Sequence, residues 1–252
     1  MQISVLASGS KGNCSLIQAD DTAVLIDVGI SARRIKQKLS ELHLDIADIS
    51  CILITHEHID HIRGLKTLSK NYHIPIYSKL DTFKSISFIK DIPPECCHIL
   101  PNNEFTVGNL NINNFSISHD AADPVGYKVK TKDANITLAT DLGFATDTVK
   151  KALDNSDILI LEANHDINLL QNGIYPWNLK KRILGTRGHL SNTDAGFTLK
   201  NLNHKPQEVI LAHLSEQNNT PQTALNTIEA ITQKQIKLHV ASPDKTLTLN
   251  FN

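Results

Sequence analysis

The chain has 252 residues, a formal net charge of −1 and 40% hydrophobic residues. Such a composition supplies a sizeable core and excludes a disordered chain, which needs low hydrophobicity or high net charge. No run of about 18 uncharged apolar residues exists, so neither a transmembrane helix nor a membrane partner is expected. The opening Met1-Gln2-Ile3-Ser4-Val5-Leu6 lacks the basic segment of a secretory signal. Cys14, Cys51, Cys96 and Cys97 show no C-x-x-C spacing. They are expected to be reduced thiols of a cytoplasmic protein. The outlying count is histidine, with 12 residues against one tryptophan and one methionine.

In chain order, Ile3–Leu6 reads as a strand, followed by the turn-rich Ser8-Gly9-Ser10-Lys11-Gly12-Asn13. Ser15–Ile17 and Ala23–Ile26 flank Asp20-Asp21 and predict a hairpin. A helix is predicted after Ser31, through the i, i+4 pair Ile35 and Leu39. Cys51–Thr55 is a strand running into the densest histidine cluster, and a helix carrying Leu65 and Leu68 follows that cluster. Ile74–Tyr77, Asn111–Ser118, Val125–Val129 and Ile136–Ala139 read as strands; Val149, Ala152 and Leu153 are helix-spaced. Ile158–Leu161 is apolar throughout, as in a strand covered on both faces. Ser191-x-x-Asp194 has the form of a capping box, Val209–Ala212 is a strand, and Thr220-Pro221 starts a helix. The expected fold class is α+β: one domain over residues 1–252, with two sheets sandwiched between outer helix layers.

The chemistry concentrates in Thr55-His56-Glu57-His58-Ile59-Asp60-His61. In an extended segment, residues two apart point the same way, so His56 and His58 can address one ion. Asp60 and His61 can address a second as the chain turns. Neutral imidazole with carboxylate suits zinc, manganese or iron.

The pattern H-x-H-x-D-H resembles the signature of the metallo-β-lactamase superfamily, whose fold is a four-layer αββα sandwich. His119, Asp141 and His213, each following a strand, occur in the family order. The resemblance implies two divalent metal ions, zinc or manganese. His56, His58 and His119 would hold one, Asp60, His61 and His213 the other, and Asp141 would bridge them. Ser8–Asn13, Ser118–Tyr127, Leu161–Asp166, Gly188–Asn192 and His213–Asn219 together resemble the YycJ/WalJ (VicX) subfamily. Neither the arm of ribonuclease Z nor a β-CASP insertion fits in 252 residues.

Such a centre makes hydroxide available near neutral pH, because bound water falls from a pKa of 15.7 to about 7. Asp60 is read as a ligand that also orients this nucleophile. His189, beside the expected helix start at Ser191, would protonate the leaving oxygen or hold phosphate, with Glu162 as its carboxylate partner. Lys11, His165 and Ser191 are candidate substrate residues. No acidic residue separates Asp166 from Asp194, while Lys180, Lys181, Arg182 and Arg187 fall there. That basic strip suits a phosphate backbone or is an ordinary solvated face. Tyr175 and Trp177 are either core residues or stacking platforms. The resemblance implies a DNA exonuclease, 5′ to 3′, linked to repair, with nucleic acid (DNA favoured) as substrate partner. A hydrolase of small esters, thioesters or lactones, an RNA-processing nuclease, and a non-catalytic module stay open. His43, His73, His98, His204 and His239 match no motif.

Overall fold

A computed structural model describes residues 1–102 and 104–251. The strands are β1 (Gln2–Ala7), β2 (Cys14–Ala19), β3 (Thr22–Ile26), β4 (Ile49–Leu53), β5 (Ile76–Ser78), β6 (Cys97–Ile99), β7 (Phe105–Val107), β8 (Leu110–Ser116), β9 (Val125–Lys130), β10 (Asn135–Ala139), β11 (Ile158–Glu162), β12 (Glu208–Ala212), β13 (Lys237–Val240) and β14 (Leu247–Asn250). The α-helices are α1 (Ala32–Glu41), α2 (Ile59–Ile62), α3 (Leu65–Tyr72), α4 (Leu80–Ser85), α5 (Asp147–Leu153), α6 (Ile167–Asn172), α7 (Trp177–Leu184), α8 (Asn192–Lys200) and α9 (Pro221–Thr232).

One sheet has the order β14-β1-β2-β3-β4-β5-β6 and the other β13-β12-β11-β10-β9-β8-β7. Each is half antiparallel and half parallel: β3 to β6 in the first and β10 to β13 in the second are parallel neighbours. The period-2 alternation of strand side chains explains the layering. Val24, Ile26, Cys51 and Leu53 face Ile158, Ile160 and Ile210 between the sheets. The alternate residues Leu25, Ile52 and Ile54 pack on Ile35, Leu39, Leu65 and Leu68 of α1 and α3. On the far side, Leu159, Leu161, Val209 and Leu211 pack on Val149, Leu153, Ala195, Leu199 and Ile228. Three apolar interfaces thus separate four layers, the αββα sandwich.

Local signals act as the sequence predicts. Ser31 accepts from Arg34 N to cap α1, and Thr220 caps α9 with Pro221 at its first position. All of β11 is buried. The capping box at α8 is half formed: Ser191 accepts from Asp194 N at 3.1 Å, but the Asp194 carboxylate takes the Ser191 hydroxyl at 2.6 Å, not the cap N–H. β5 starts at Ile76 rather than Ile74, and β8 ends at Ser116 rather than Ser118. Strands β6, β7, β13 and β14 escape the sequence reading, since three or four residues carry too little alternation.

Parallel strands in both sheets end at one edge, where the residues after β3, β4, β10 and β12 and the last residue of β11 gather. The loops there touch backbone to backbone: Asn13 N donates to Asp60 O, and Gly29 N donates to Asn13 O, both at 2.8 Å. A β-carbon on Gly29 would overlap the Asp60 carbonyl oxygen. Gly29→Ala is therefore expected to destabilise by more than about 2 kcal/mol and to lower metal retention. Urea unfolding and metal analysis of the purified variant check this; a variant matching the parent in both refutes the close-approach argument.

Candidate metal centre

The histidine-rich segment leaves β4 and turns at α2, whose N-cap is His58. His119 lies beyond β8, Asp141 beyond β10, His213 directly after β12, and Glu162 ends β11. Three carboxylate or imidazole residues at these strand ends are left-handed: Asp27 (φ 58°), Asp141 (58°) and His213 (56°). Asp and His are among the few non-glycine residues that tolerate this region. Each stands one or two residues beyond the end of a strand.

Four overlapping donor groups result among the described residues; one joins His56 with His61 and Asp141, and two others share no residue. His56, His58 and His119 form one and Asp60, His61 and His213 the other; within each, the ligand atoms lie within 4.8 Å of one another. His58 Nδ1 is 3.1 Å from His56 Nε2 and 3.3 Å from His119 Nε2. Asp60 Oδ2 is 3.5 Å from both His61 Nε2 and His213 Nε2. Asp141 lies between the groups: Oδ2 is 3.3 Å from His61 Nε2, and Oδ1 is 3.4 Å from His213 Nε2 and 3.9 Å from His119 Nε2.

Hydrogen bonds fix which nitrogen faces the centre. Thr55 Oγ1 donates to Asp27 Oδ2 at 2.8 Å, so it accepts from His56 Nδ1 at 2.9 Å. His61 Nδ1 donates to Asp27 Oδ2 at 2.7 Å. His119 Nδ1 donates to the Gly188 carbonyl at 3.2 Å, and His213 Nδ1 to Glu162 Oε1 at 2.9 Å. All four imidazoles thus carry a proton on the outer nitrogen and turn Nε2 inward, the arrangement of metal-ligating histidines.

The donors fit a divalent cation. Facing ring-nitrogen lone pairs at 3.1–3.3 Å repel unless a proton or cation lies among them. Asp141 Oδ2 and His213 Nε2 are buried with no hydrogen-bond partner among the described residues. Burial and neighbouring imidazoles hold His56 well below its ordinary pKa, and burial lowers His119. Burial opposes charge on His61, but the carboxylates of Asp141 and Asp27 outweigh it and raise it well above its ordinary value. The same contest carries His213 up to about 10, with Asp141, Asp60 and Glu162 outweighing burial. Protons on His61 and His213 therefore do what a cation would do.

Glu162 is fully buried and accepts four hydrogen bonds. Oε1 takes His189 Nδ1 at 2.8 Å and His213 Nδ1; Oε2 takes Leu142 N at 3.0 Å and Leu190 N at 2.9 Å. Burial would raise its pKa, but His189 and His213 bring it down to about 2. Asp141, Glu162, His189 and His213 also cluster within 4.8 Å. With every Glu162 lone pair and both Nδ1 atoms engaged, that cluster is a hydrogen-bond network rather than an ion site.

Other candidates lie elsewhere. The cavity over the donors is lined by Ser10, Asn164, Tyr175, Arg182 and Ser215 together with His58, Asp60, Asp141, His189 and His213. Lys11 and Ser191 do not line it. Lys11 Nζ pairs with Glu216 Oε2 at 2.6 Å, and both capacities of the Ser191 hydroxyl serve the α8 cap. His165 is buried away from the cavity, with neither ring nitrogen bonded among the described residues, and burial pushes it down to about 4. The basic strip is largely spent internally. Lys180 donates to the Gln171 and Gly173 carbonyls, Arg187 to those of His119 and Ala121, and Lys181 sits over Trp177. Neither Tyr175 nor Trp177 is core: Tyr175 lines the cavity and Trp177 is exposed.

The sequence reading missed Asp27, Thr55 and Asn13. Asp27 accepts from Thr55 N, Thr55 Oγ1 and His61 Nδ1. Its one signal was an acid-glycine turn, Asp27-Val28-Gly29, directly after an apolar strand.

Two outcomes follow from these contacts. Asp27→Asn keeps the size and the left-handed backbone, but its single oxygen cannot accept all three protons that reach the two carboxylate oxygens, from Thr55 N, Thr55 Oγ1 and His61 Nδ1; metal affinity is expected to fall about 10–100-fold with the fold retained. Equilibrium dialysis against a metal indicator reads it, and unchanged affinity refutes the orienting role. His61 and His213 must each lose a proton to bind metal, so roughly two protons leave on loading at pH 7. Affinity should rise with pH until both are neutral in the metal-free protein. Calorimetry in buffers of different ionisation enthalpy counts them, and a buffer-independent heat contradicts the assignment.

Among the described residues, no helix is long and apolar enough to cross a membrane. The pattern of the Beta-lactamase superfamily domain matches residues 22–214. The exodeoxyribonuclease YycJ of Bacillus anthracis is 34% identical over 238 residues, covering 93% of this chain and 90% of its own. The exodeoxyribonuclease WalJ of Streptococcus pneumoniae is 34% identical over 253 residues, covering 96% and 94%. The crystal structure of the metallo-β-lactamase fold protein YhfI from Bacillus subtilis superposes with a TM-score of 0.74 at 17% identity, covering 98% of this chain and 99% of that one. With its αββα layers and its strand-end His/Asp donors, the chain belongs to the metallo-β-lactamase superfamily and, within it, to the group of YycJ and WalJ.

Proposed function

We propose that the chain is a metal-dependent exodeoxyribonuclease that works with two divalent ions, zinc or manganese. The observation that carries this reading is His189. Its side chain is 17% exposed, against 0–4% for His61, His119 and His213, and it lines the cavity with Nδ1 donating to Glu162. Nε2 has no hydrogen-bond partner among the described residues. The names of the YycJ and WalJ relatives point to DNA as the polymer.

When bound, divalent ions supply a nucleophile at neutral pH and offset the charge of a phosphodiester. The protein groups do the rest. Asp60, at the cavity floor beside His61 and His213, orients the attacking oxygen. Glu162, a carboxylate at neutral pH, holds the His189 ring and balances the charge of its imidazolium. The His189 Nε2–H then donates to the leaving oxygen, a general-acid step worth about 10²–10⁴-fold. Four unpaired thiols support a reducing, cytoplasmic setting.

Purified protein with manganese, zinc or magnesium, on end-labelled single- and double-stranded DNA and RNA, tests the reading, with Asp141→Asn as inactive control. Stepwise shortening of DNA from the 5′ end is the expected outcome, and inertness on every DNA overturns it. His189→Ala is expected to keep the parental metal content while kcat drops about 10²–10⁴-fold. Lost metal would instead make His189 a ligand.

A further inference from the structure

The cavity above the donors encloses about 220 Å³ and has one wall unlike the others. Leu179, Arg182 and Ile183 share one face of α7, and Tyr175 stands just before that helix; all four line the cavity. Of the four cations between Lys180 and Arg187, only Arg182 does so. Its Nε donates to Asp120 Oδ2 at 2.5 Å, while neither Nη has a partner among the described residues. Asp120 follows His119 directly, and its Oδ1 lies 3.4 Å from His119 Nε2. The guanidinium is therefore anchored beside one donor group, with its two terminal nitrogens still able to donate. The side chain keeps half of its surface in solvent, 53%.

Such a fork matches two oxygens of one phosphate, which a lysine cannot engage in the same way. In the same cavity, Tyr175 offers a ring whose hydroxyl has no partner among the described residues, and Leu179 and Ile183 offer apolar surface. A base inside a duplex is already stacked on both faces and cannot also lie on this ring. An unpaired base can, and base–aromatic stacking is how proteins hold single strands without reading sequence.

We propose that Arg182 and Tyr175 form a subsite for an unpaired nucleotide, Arg182 gripping a phosphate beside the scissile one and Tyr175 stacking its base. A nucleotide held there is unpaired, whether it comes from a single strand or from the frayed end of a duplex. This rests on the nuclease reading above and adds how the nucleotide beside the cleaved bond is held.

The test uses the metal-loaded protein on a fluorescent single-stranded oligonucleotide and on the same sequence as a blunt duplex. The parent should turn over both, since a duplex end enters the subsite once it frays. Tyr175→Ala should raise KM for the single strand about tenfold, with Tyr175→Phe close to the parent. Arg182→Gln should raise KM as well and flatten the dependence of log affinity on log salt by about 0.7, one phosphate contact on a single strand. Metal content should be unchanged in all three. A parent inert on DNA overturns the nuclease reading and this subsite with it. A parent active on DNA, with KM and salt slope unmoved in Tyr175→Ala and Arg182→Gln, overturns the subsite alone. Metal loss in Arg182→Gln without a change of salt slope also overturns it, since Arg182 would then act through Asp120 on the metal ligands.

Discussion

Six imidazoles and four carboxylates meet at one end of two sheets, most of them buried, and that burial is the constraint on which the structure depends. Asp27, Asp141 and Glu162 are 2%, 2% and 0% exposed. A carboxylate so placed is costly unless it is hydrogen-bonded and its charge is matched. Asp27 and Glu162 are matched outward, by Thr55 and His61 and by two backbone N–H groups and two imidazoles. Asp141 is matched inward instead: Oδ2 has no hydrogen-bond partner among the described residues, and its two oxygens lie 3.3 Å from His61 Nε2 and 3.4 Å from His213 Nε2. The division separates scaffold from function. The outer carboxylates set the tautomers, and the inner ones, Asp60 and Asp141, face the inward ring nitrogens.

Meeting that constraint shapes the backbone around it. Donors must come from both sheets, and Asp27, Asp141 and His213 take the left-handed conformation just beyond the strand ends. A left-handed non-glycine residue is unfavourable on its own and persists where its surroundings over-determine it. Here the anchors are explicit. Asp27 is held by Thr55, and the His213 N–H donates to the Ser8 hydroxyl at 2.7 Å, bringing the glycine- and serine-rich loop after β1 into the site. That loop carries Asn13, whose amide reaches toward Asp60 and His61. Gly12 of that loop packs against the Gly29 carbonyl, where a β-carbon would overlap it, and Lys11 pairs with Glu216.

The sequence made the core of this arrangement legible because its signals are local. An apolar strand running into His56-Glu57-His58-Ile59-Asp60-His61 marks a donor cluster without any tertiary knowledge. Apolar runs covered on both faces, such as Ile158–Leu161, mark central strands and so the sandwich. What stayed hidden is what depends on partners distant in the chain. Asp27 looks like any turn aspartate until Thr55 and His61 are folded onto it. The basic strip looked uniform, yet Lys180 closes the end of α6 through two carbonyls and Arg187 ties down the His119 loop. Composition counts cations; only the fold says which have their protons committed. The same limit applies to Ser191, whose hydroxyl looks available in the sequence and is consumed at the α8 cap.

The segment after α7 joins the cavity wall to the metal ligands, and this bears on how substrate and metals are aligned. His119 donates to the Gly188 carbonyl, Ser118 Oγ donates to Thr186 O at 2.7 Å, and Arg187 Nε donates to His119 O at 3.0 Å. His189 N in turn donates to the Ile183 carbonyl at 3.0 Å, at the end of α7, and Leu190 N donates to Glu162. One loop of five residues therefore carries the free imidazole, orients one metal ligand and sets the direction of the helix that bears Arg182. Gly188 is where these demands collide, for a β-carbon there would overlap the carbonyl oxygens of Arg182 and Ile183. A site held this way has little slack between wall, imidazole and ligands. Such slack is what preorganised chemistry cannot tolerate, since displacements near 1 Å are costly to rate. The loop binds the two halves of the site into one unit, so a change in how α7 packs is felt at His119 and His189 together.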